Sequence, residues 1–321
     1  MGVNLTPLLI PDICQFPTLA SKKLVVDGCN LLFRYINKIR NAENEILYNA
    51  KGDPVSHLIG IFYFCINLME RRIRPIFVFD GYPPAEKRPK SPEKIARLVK
   101  MWQLYNKQAD DHKQLFHQDP LFLYDKFISD LQEFVRLMGI PVVRGLAEGE
   151  AQGARLIQDG YAMGLISEDQ DSLLFGCPYV YHNLAFKEEF CTVTTLADQL
   201  DRWGLTQRQL IDLALLVGTD YNEGIKGIGP KRALQLIQEH KQLENIPDFD
   251  IPFDMDRLRE LFLKPATVAA EPMFRAPNTK SLIYYLTQKG LSPRRVDRGI
   301  NRLRLAFKQL NYKQASLKVF L

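Results

Sequence analysis

Several kinds of residue and pattern are scarce or missing in this sequence, and each absence removes a class of protein. Only five of the 321 residues are cysteine, at 14, 29, 65, 177 and 191, and no CxxC pair occurs. The five histidines, at 57, 112, 117, 182 and 240, form no ligand-spaced group with them. A disulfide framework and a zinc site are thereby excluded as organising devices, and a reducing compartment fits best. No run of eighteen apolar residues is present, which excludes a membrane-spanning helix. The opening residues lack the basic-then-apolar pattern of a secretory signal. Internal repeats and low-complexity tracts are absent as well. With 46% hydrophobic and 25% charged residues, the composition is that of a soluble globular protein long enough to bury its own core as one large domain or two. Charge of one sign is in small excess, +5 from 42 basic and 37 acidic residues. This permits a polyanionic partner without demanding one.

The excess is unevenly placed. Arg294, Arg295, Arg298, Arg302, Arg304, Lys308 and Lys313 are interrupted by Asp297 alone among acidic residues. Their spacings of three and four set many of them along one helical face. A second basic stretch holds Lys87, Arg88, Lys90, Lys94, Arg97 and Lys100. Either stretch alone reads as a solvated helix face; the two together favour a phosphate-bearing polymer.

Apolar, β-branched runs recur, each tied to a helical pattern. LVVDG (24–28) precedes a helix from Asn30, and PIFVFDG (75–81) follows a helical segment at 55–72. IPVV (140–143) precedes a helix near Ala147, while GLISED (164–169) and PYVYHN (178–183) read as further strands. Strands alternating with helices predict an α/β layer fold with a mostly parallel sheet. Residues 82–123 break the rhythm as a long insertion, first basic and then polar. From about Thr206 the chain reads as helical through TQRQLIDLALLVG and GIGPKRALQLIQEH, and 265–277 reads as a loop.

The acidic residues are the most informative feature. In an open α/β sheet, ligands bind beyond the carboxyl ends of the strands. Asp27 ends the first strand, Asp80 the second, Glu148 and Glu150 follow the third, and Asp169 and Asp171 the fourth; Asp220 closes the apolar helix ALLVGTD. A single acid at a strand end can simply cap the next helix, and Asp27 alone is open to that reading. Seven acids converging on one edge would repel severely unless cations neutralised them. Carboxylates without His or Cys suit hard divalent cations such as Mg²⁺. The i, i+2 pairs Glu148/Glu150 and Asp169/Asp171 can each offer two ligands, and two cations about 4 Å apart form a clamp for phosphodiester hydrolysis.

These segments together resemble a known family. VDG (26–28), VFDG (78–81), EGEAQ (148–152), SEDQDSLLFG (167–176), GTDYN (218–222), the opening MGVNLTPLL and IKGIGPKRAL (225–234) are similar, in order and over nearly the whole chain, to flap endonucleases, particularly the archaeal type. The resemblance implies an α/β, PIN-like 5′ nuclease fold, a twisted mostly parallel sheet between helices, with a helical arch and a helix–two-turn–helix element. The implied organisation is one nuclease domain over 1–305. It comprises an N-terminal part (1–81), the arch insertion (82–123) and an internal part (124–305) that includes the helix–two-turn–helix at about 206–240. A tail with a clamp-binding peptide follows at 306–321.

Carried over residue by residue, the resemblance implies that Asp80, Glu148 and Glu150 mainly serve one Mg²⁺ and Asp169 and Asp171 mainly the other, with Asp27 and Asp220 close by. Lys87 at the arch base and Lys94, where a second basic residue is found, would steer the scissile phosphate. Gly2 would lie close to the active site. Phe33 stands where a base-stacking tyrosine is common and keeps its π-face; at helical spacing it is equally readable as core. Arg40 and VSHLIG (55–60) match the region that cradles a short 3′ flap, but Val55 replaces a frequent Thr and Phe64 a common Arg. Gly227, Gly229, Lys231 and Arg232 would bind the duplex backbone at a helix N-terminus. The family often holds K⁺ there, and Gly224 replaces a serine of some members. Gln314, Leu317 and Phe320 are similar to the peptide that docks on a DNA sliding clamp (PCNA) through a short 3₁₀ turn.

The expected function is therefore a Mg²⁺-dependent, structure-specific 5′-flap endonuclease of DNA replication and repair, cutting near the single-strand/duplex junction. Expected partners are branched DNA with a 5′ flap and the sliding clamp, with no membrane. The expected state is a monomer, cytoplasmic and DNA-associated if archaeal-like, nuclear if eukaryotic. The rivals are a 5′–3′ exonuclease or Holliday-junction resolvase of the same fold, and a non-catalytic clamp- or branch-binding scaffold.

Overall fold

Strand periodicity accounts for the centre of the molecule. A computed structural model gives the architecture of residues 2–39, 41, 44, 47–49, 55–81, 120–247 and 251–317, with positions 36, 37, 120–127 and 311–317 described by backbone alone. Lys23–Asp27 (β2) and Arg74–Phe79 (β3) are buried on both faces, the condition that favours parallel pairing. They pair in parallel from Lys23↔Arg74 to Asp27↔Val78. Val142–Arg144 (β4) extends the sheet beyond β3, and Gly164–Ile166 (β5) and Tyr179–Ala185 (β6) extend it on the other side of β2, all in parallel. Two further strands had no place in the sequence reading. Asp12–Gln15 (β1) and Phe190–Thr195 (β7) pair antiparallel, and β7 pairs antiparallel with β6. The order is β1-β7-β6-β5-β2-β3-β4 in a seven-stranded sheet.

Alternation along each strand splits the core between the two faces. Leu24, Val26, Phe77 and Phe79 face one cluster; Val25, Ile76 and Val78 face the other. The first is covered by Gly28–Lys38 (α1), Ser56–Glu70 (α2), Pro120–Leu137 (α3), Thr279–Gln288 (α10) and Pro293–Leu317 (α11). The second is covered by Gly149–Gln158 (α4), Asp171–Leu174 (α5), Leu196–Trp203 (α6), Gln207–Val217 (α7), Pro230–His240 (α8) and Met255–Leu263 (α9). Phe64, which stands where the resemblance expects an Arg, is buried at 2% exposure and packs edge-on against Tyr35 and Phe186. A guanidinium there would need a partner the core does not offer, so this position belongs to packing and not to a 3′-flap surface.

The helix limits follow local chemistry. The Thr206 side chain and Gln209 form a reciprocal capping box that starts α7. Pro230 occupies the first turn of α8. The segment 264–278 has no regular element, as expected. It is strapped to α4 by Gln152, whose Nε2 donates to the Val268 carbonyl and whose Oε1 accepts the Val268 N–H, each at 2.9 Å. The basic C-terminal run is the helix α11. Its backbone continues unbroken through Gln314 to Leu317, where the sequence reading places a 3₁₀ turn, and the expected boundary at 305/306 falls inside it. Arg302 is drawn onto the body of the protein by Glu70 at 2.7 Å, while Arg294, Arg295 and Arg298 are exposed. Of the expected arch, 82–119 lies outside the described residues, and α3 begins at Pro120. No described helix is long and apolar enough to cross a membrane.

Candidate active site

The topology creates the site. From β2 the chain steps outward to β3 and β4, then returns to β5 on the opposite side of β2 and moves outward again to β6. The switch point lies between β2 and β5, and a crevice opens there at the carboxyl ends of the strands. Asp27 is the last residue of β2, Asp80 follows β3, and Asp169 follows β5. Glu148 is the N-cap of α4 and Glu150 lies in its first turn; Asp171 opens α5.

Asp27 fills both readings left open for it. Its Oδ1 caps α1 by accepting the Asn30 N–H at 2.9 Å, and its Oδ2 accepts the Ser167 hydroxyl at 3.0 Å. It also belongs to the acidic cluster. Burial first, then the charge of Asp80, with a smaller push from Asp169, raise its carboxyl to about 7. Glu150 is pushed well above the usual carboxylate range by loss of water and by Asp27, Asp80, Asp169 and Glu148. Asp171 is raised likewise by burial and by Asp169, with further pushes from Asp220 and Glu148. Each of the seven predicted acids is thus within electrostatic reach of at least one other. Carboxylate oxygens of Asp80, Glu148 and Glu150 come closest, all within 4.8 Å of each other.

Such a cluster is costly unless a cation offsets it, and the donor set is oxygen alone. It fits a hard divalent ion, and among the described residues no His or Cys joins it. Asp80, Glu148 and Glu150 can hold such an ion. A pH dependence follows. A carboxyl raised in the folded state keeps a proton that the unfolded chain releases above its ordinary 3.8. Its stabilising share is complete below that value and is lost as pH rises to about 7. Melting temperatures of chelator-treated protein between pH 4 and 8 are expected to fall more steeply for the wild type than for Asp27→Asn, which still caps α1. Added divalent cation should raise Tm more at pH 7.5 than at pH 5.

Several side chains that sequence reasoning missed hold the acids in place. The Tyr221 hydroxyl donates to Glu148 Oε1 at 2.9 Å, and the Gly149 N–H donates to Asp80 Oδ1 at 2.9 Å. Tyr221 is itself fixed by Phe262, at 5.4 Å and 85°, and by a turn in which its N–H donates to the Thr219 hydroxyl. The signal for Tyr221 was its place inside GTDYN, beside an acid already singled out. Arg34 pairs with Glu168 next to Asp169 at 2.5 Å. Phe33 lies beside Arg34 on α1 and is half-buried, unlike its fully buried neighbours Leu31 and Leu32.

The N-terminal segment closes the site from below. The Val3 N–H donates to Asp171 Oδ1 at 2.6 Å, and the Leu5 N–H to Gln170 Oε1 at 2.5 Å. Gly2 lies so close that a methyl group on it would clash with Asp169 Oδ1 and stand 2.5 Å from Asp171 Cγ. Gly227 (φ 86°) and Gly229 lead into α8, where Lys231 and Arg232 are exposed. Gly224 has φ 72°, and a Cβ there would meet the Val217 carbonyl carbon at 2.5 Å. A serine at this position would be strained in this backbone. Lys87, Lys94, Arg40 and Phe320 lie outside the described residues, and Gln314 and Leu317 lie where only the backbone is described.

The sequence families of the XPG N-terminal domain and the XPG I-region match residues 3–100 and 139–220. Flap endonuclease 1 of Staphylothermus marinus is 34% identical over 350 aligned positions, spanning 100% of this chain and 99% of that protein. The chain belongs to the flap endonuclease family. The enzyme of the same name from Hyperthermus butylicus is 35% identical, with 96% of each chain covered. The solved flap endonuclease-1 of Methanococcus jannaschii superposes with a TM-score of 0.78 at 28% identity, covering 96% of this chain and 99% of that one. For this flap endonuclease homologue, the position of Gly2 carries a prediction. Gly2→Ala should lower nuclease activity about 10–100-fold, the usual cost of disturbing groups that orient metal ligands. The melting temperature measured in chelator should stay within a few degrees of the wild type. Unchanged activity would mean that the segment can move away from Asp169 and Asp171 without cost.

Proposed function

We propose that this chain is a structure-specific DNA nuclease that cuts 5′ flaps near the single-strand/duplex junction in replication and repair. The observation that carries the reading is a group of mutually repelling carboxylates at the carboxyl ends of the strands, with Asp80, Glu148 and Glu150 within 4.8 Å of one another, in a chain alignable end to end with flap endonucleases. The proposed cofactor is a pair of Mg²⁺ ions. Asp80, Glu148 and Glu150 would hold one, Asp169 and Asp171 the other, with Asp27 and Asp220 adjoining. When bound, such ions supply charge neutralisation and Lewis acidity at a phosphodiester.

The chain's own groups do the rest. Tyr221 and the Gly149 amide orient Glu148 and Asp80, and the Val3 amide orients Asp171. Lys87 and Lys94 would steer the scissile phosphate and favour its developing charge. Phe33, half-buried on α1, would stack on a base next to the cut. Gly227, Gly229, Lys231 and Arg232 would hold the duplex backbone through amides and point charges, and Arg40 would contact a 3′ flap. A K⁺ ion in the loop before α8 would rest on carbonyls alone, because Gly224 offers no hydroxyl. Gln314, Leu317 and Phe320 would dock on a sliding clamp, and since Gln314–Leu317 are helical here, docking in a 3₁₀ turn would rewind the end of α11. The working unit would be a monomer.

The deciding experiment compares an end-labelled double-flap DNA with nicked, blunt and four-way substrates, in Mg²⁺ and in EDTA. Preferred release of the intact flap, abolished by EDTA, is the expected result. Release of single nucleotides would point to an exonuclease, preferred cutting of the four-way substrate to a resolvase, and binding without cutting to a scaffold.

A further inference from the structure

Cys14 on β1 and Cys191 on β7 face each other in register across the antiparallel pair. The Phe16 N–H donates to the Glu189 carbonyl at 3.1 Å two residues along. Because such pairs alternate, Cys14 and Cys191 form a hydrogen-bonded pair with Cα atoms about 5.5 Å apart. Disulfides bridge Cα separations of about 4.4–6.8 Å. Both side chains turn to the same face of the sheet, against the first core cluster. The Cys191 thiol donates to the Cys14 carbonyl at 3.6 Å, and Cys14 Sγ lies 3.3 Å from Thr18 Oγ1. Cys14 is partly exposed, whereas Cys191 is buried, as are Cys29, Cys65 and Cys177.

We propose that Cys14 and Cys191 are a modification site, closing to a reversible cross-strand disulfide when the protein meets a peroxide. Cys14, the accessible thiol, attacks the peroxide as thiolate. Its sulfur bonds to one oxygen, the O–O bond breaks, and the leaving hydroxide takes up a proton as water. Cys191 then attacks the sulfur of the resulting sulfenic acid, the S–O bond breaks, and the second oxygen leaves as water. Two thiols and one hydrogen peroxide thus become one disulfide and two waters. Burial pushes the Cys191 thiol up to about 12, which assigns it the second, resolving step.

The bond would act as a latch. Among the described strands β1 is an edge strand paired only with β7, and the segment before it carries Val3 and Leu5 onto the loop of Asp171 and Gln170. The cross-link pins the end of that segment to the sheet and closes a loop of more than half the chain, which restricts the unfolded state.

The test treats the reduced, full-length protein in chelator with a small excess of hydrogen peroxide, followed by thiol titration, peptide mapping and melting. The five titratable thiols should fall to three. The mass should drop by about 2 Da, for the two hydrogens lost in the reaction above. A 14–191 cross-linked peptide should appear, and Tm should rise by several degrees, all reversed by dithiothreitol. Cys191→Ser should show none of these changes. Five persisting thiols, an irreversible sulfinic acid on Cys14, a dimer, or a cross-link between other cysteines would overturn the site. A 14–191 disulfide without a rise in Tm would overturn the latch.

Discussion

Asp171→Asn is expected to lower flap cleavage by at least about 10³-fold, on the scale seen when one preorganised electrostatic group is removed from an active site. DNA binding should stay within a few-fold. The reasoning is local. Asp171 sits at the first turn of α5, and its Oδ1 receives the Val3 N–H at 2.6 Å. Asparagine matches the shape and keeps an oxygen for Val3, so the N-terminal segment stays docked. What goes is one negative charge among Asp169, Asp220 and Glu148, the groups that push Asp171 upward. That charge is unfavourable for the cation-free fold and useful once cations are bound. The same variant should therefore melt at an equal or higher temperature in EDTA and gain less from Mg²⁺. Turnover at the wild-type rate would sink the role given to Asp171. A lower Tm in EDTA would show that its charge supports the fold instead of straining it.

The largest expected stability effect lies away from the acids. Arg259→Leu should destabilise the protein by about 3–5 kcal/mol, the cost of breaking a buried ion pair from one side. Arg259 on α9 is 1% exposed. Its Nε and Nη2 donate to the two oxygens of Asp212 on α7 at 2.6 and 2.9 Å. Its Nη1 and Nη2 also donate to Glu244 at 2.5 and 2.8 Å, and Nη1 reaches Asp256 at 3.1 Å. Asp212 is equally buried, and burial already pushes its carboxyl up in the presence of Arg259. With leucine at 259, that carboxylate is left dry and unpaired. Pairing Arg259→Leu with Asp212→Leu removes both charges and should recover most of the loss in urea unfolding, since the buried pair costs water on both sides. A double variant no more stable than Arg259→Leu alone would place the energy in Glu244 and Asp256. Because α9 also carries Phe262 against Tyr221, the single variant should loosen Glu148 and weaken cation binding.

The parallel centre of the sheet was legible because its signals are local. Buried β-branched and aromatic runs at 24–27 and 75–79, each flanked by a helix, admit few other arrangements. The acids were legible for the same reason, since each ends a run. The edge strands were not. β1 is DICQ, three of its four residues are exposed, and only pairing with β7 makes it a strand. β7 itself, FCTVTT, is a β-branched stretch that becomes a strand by antiparallel pairing with β6 and β1. Tyr221 and Arg259 were passed over because a tyrosine and an arginine in amphipathic surroundings do not declare their partners.

The sequence by itself determined the chemistry on offer: seven carboxylates, their order along the chain, and their places at the ends of strands, the starts of helices and, for Asp220, just past a helix. Short-range sterics, capping and hydrophobic periodicity act over a few residues, so these features can be read from neighbours. The tertiary structure alone decided which groups orient the acids. Val3 reaches Asp171 across 168 residues, Ser167 reaches Asp27 across 140, and Tyr221 reaches Glu148 across 73. Contacts at such separations arise only when two core clusters on opposite faces of one sheet bring distant segments to a common edge. That edge is the switch point, where the chain's return to β5 brings Asp169 beside Asp27.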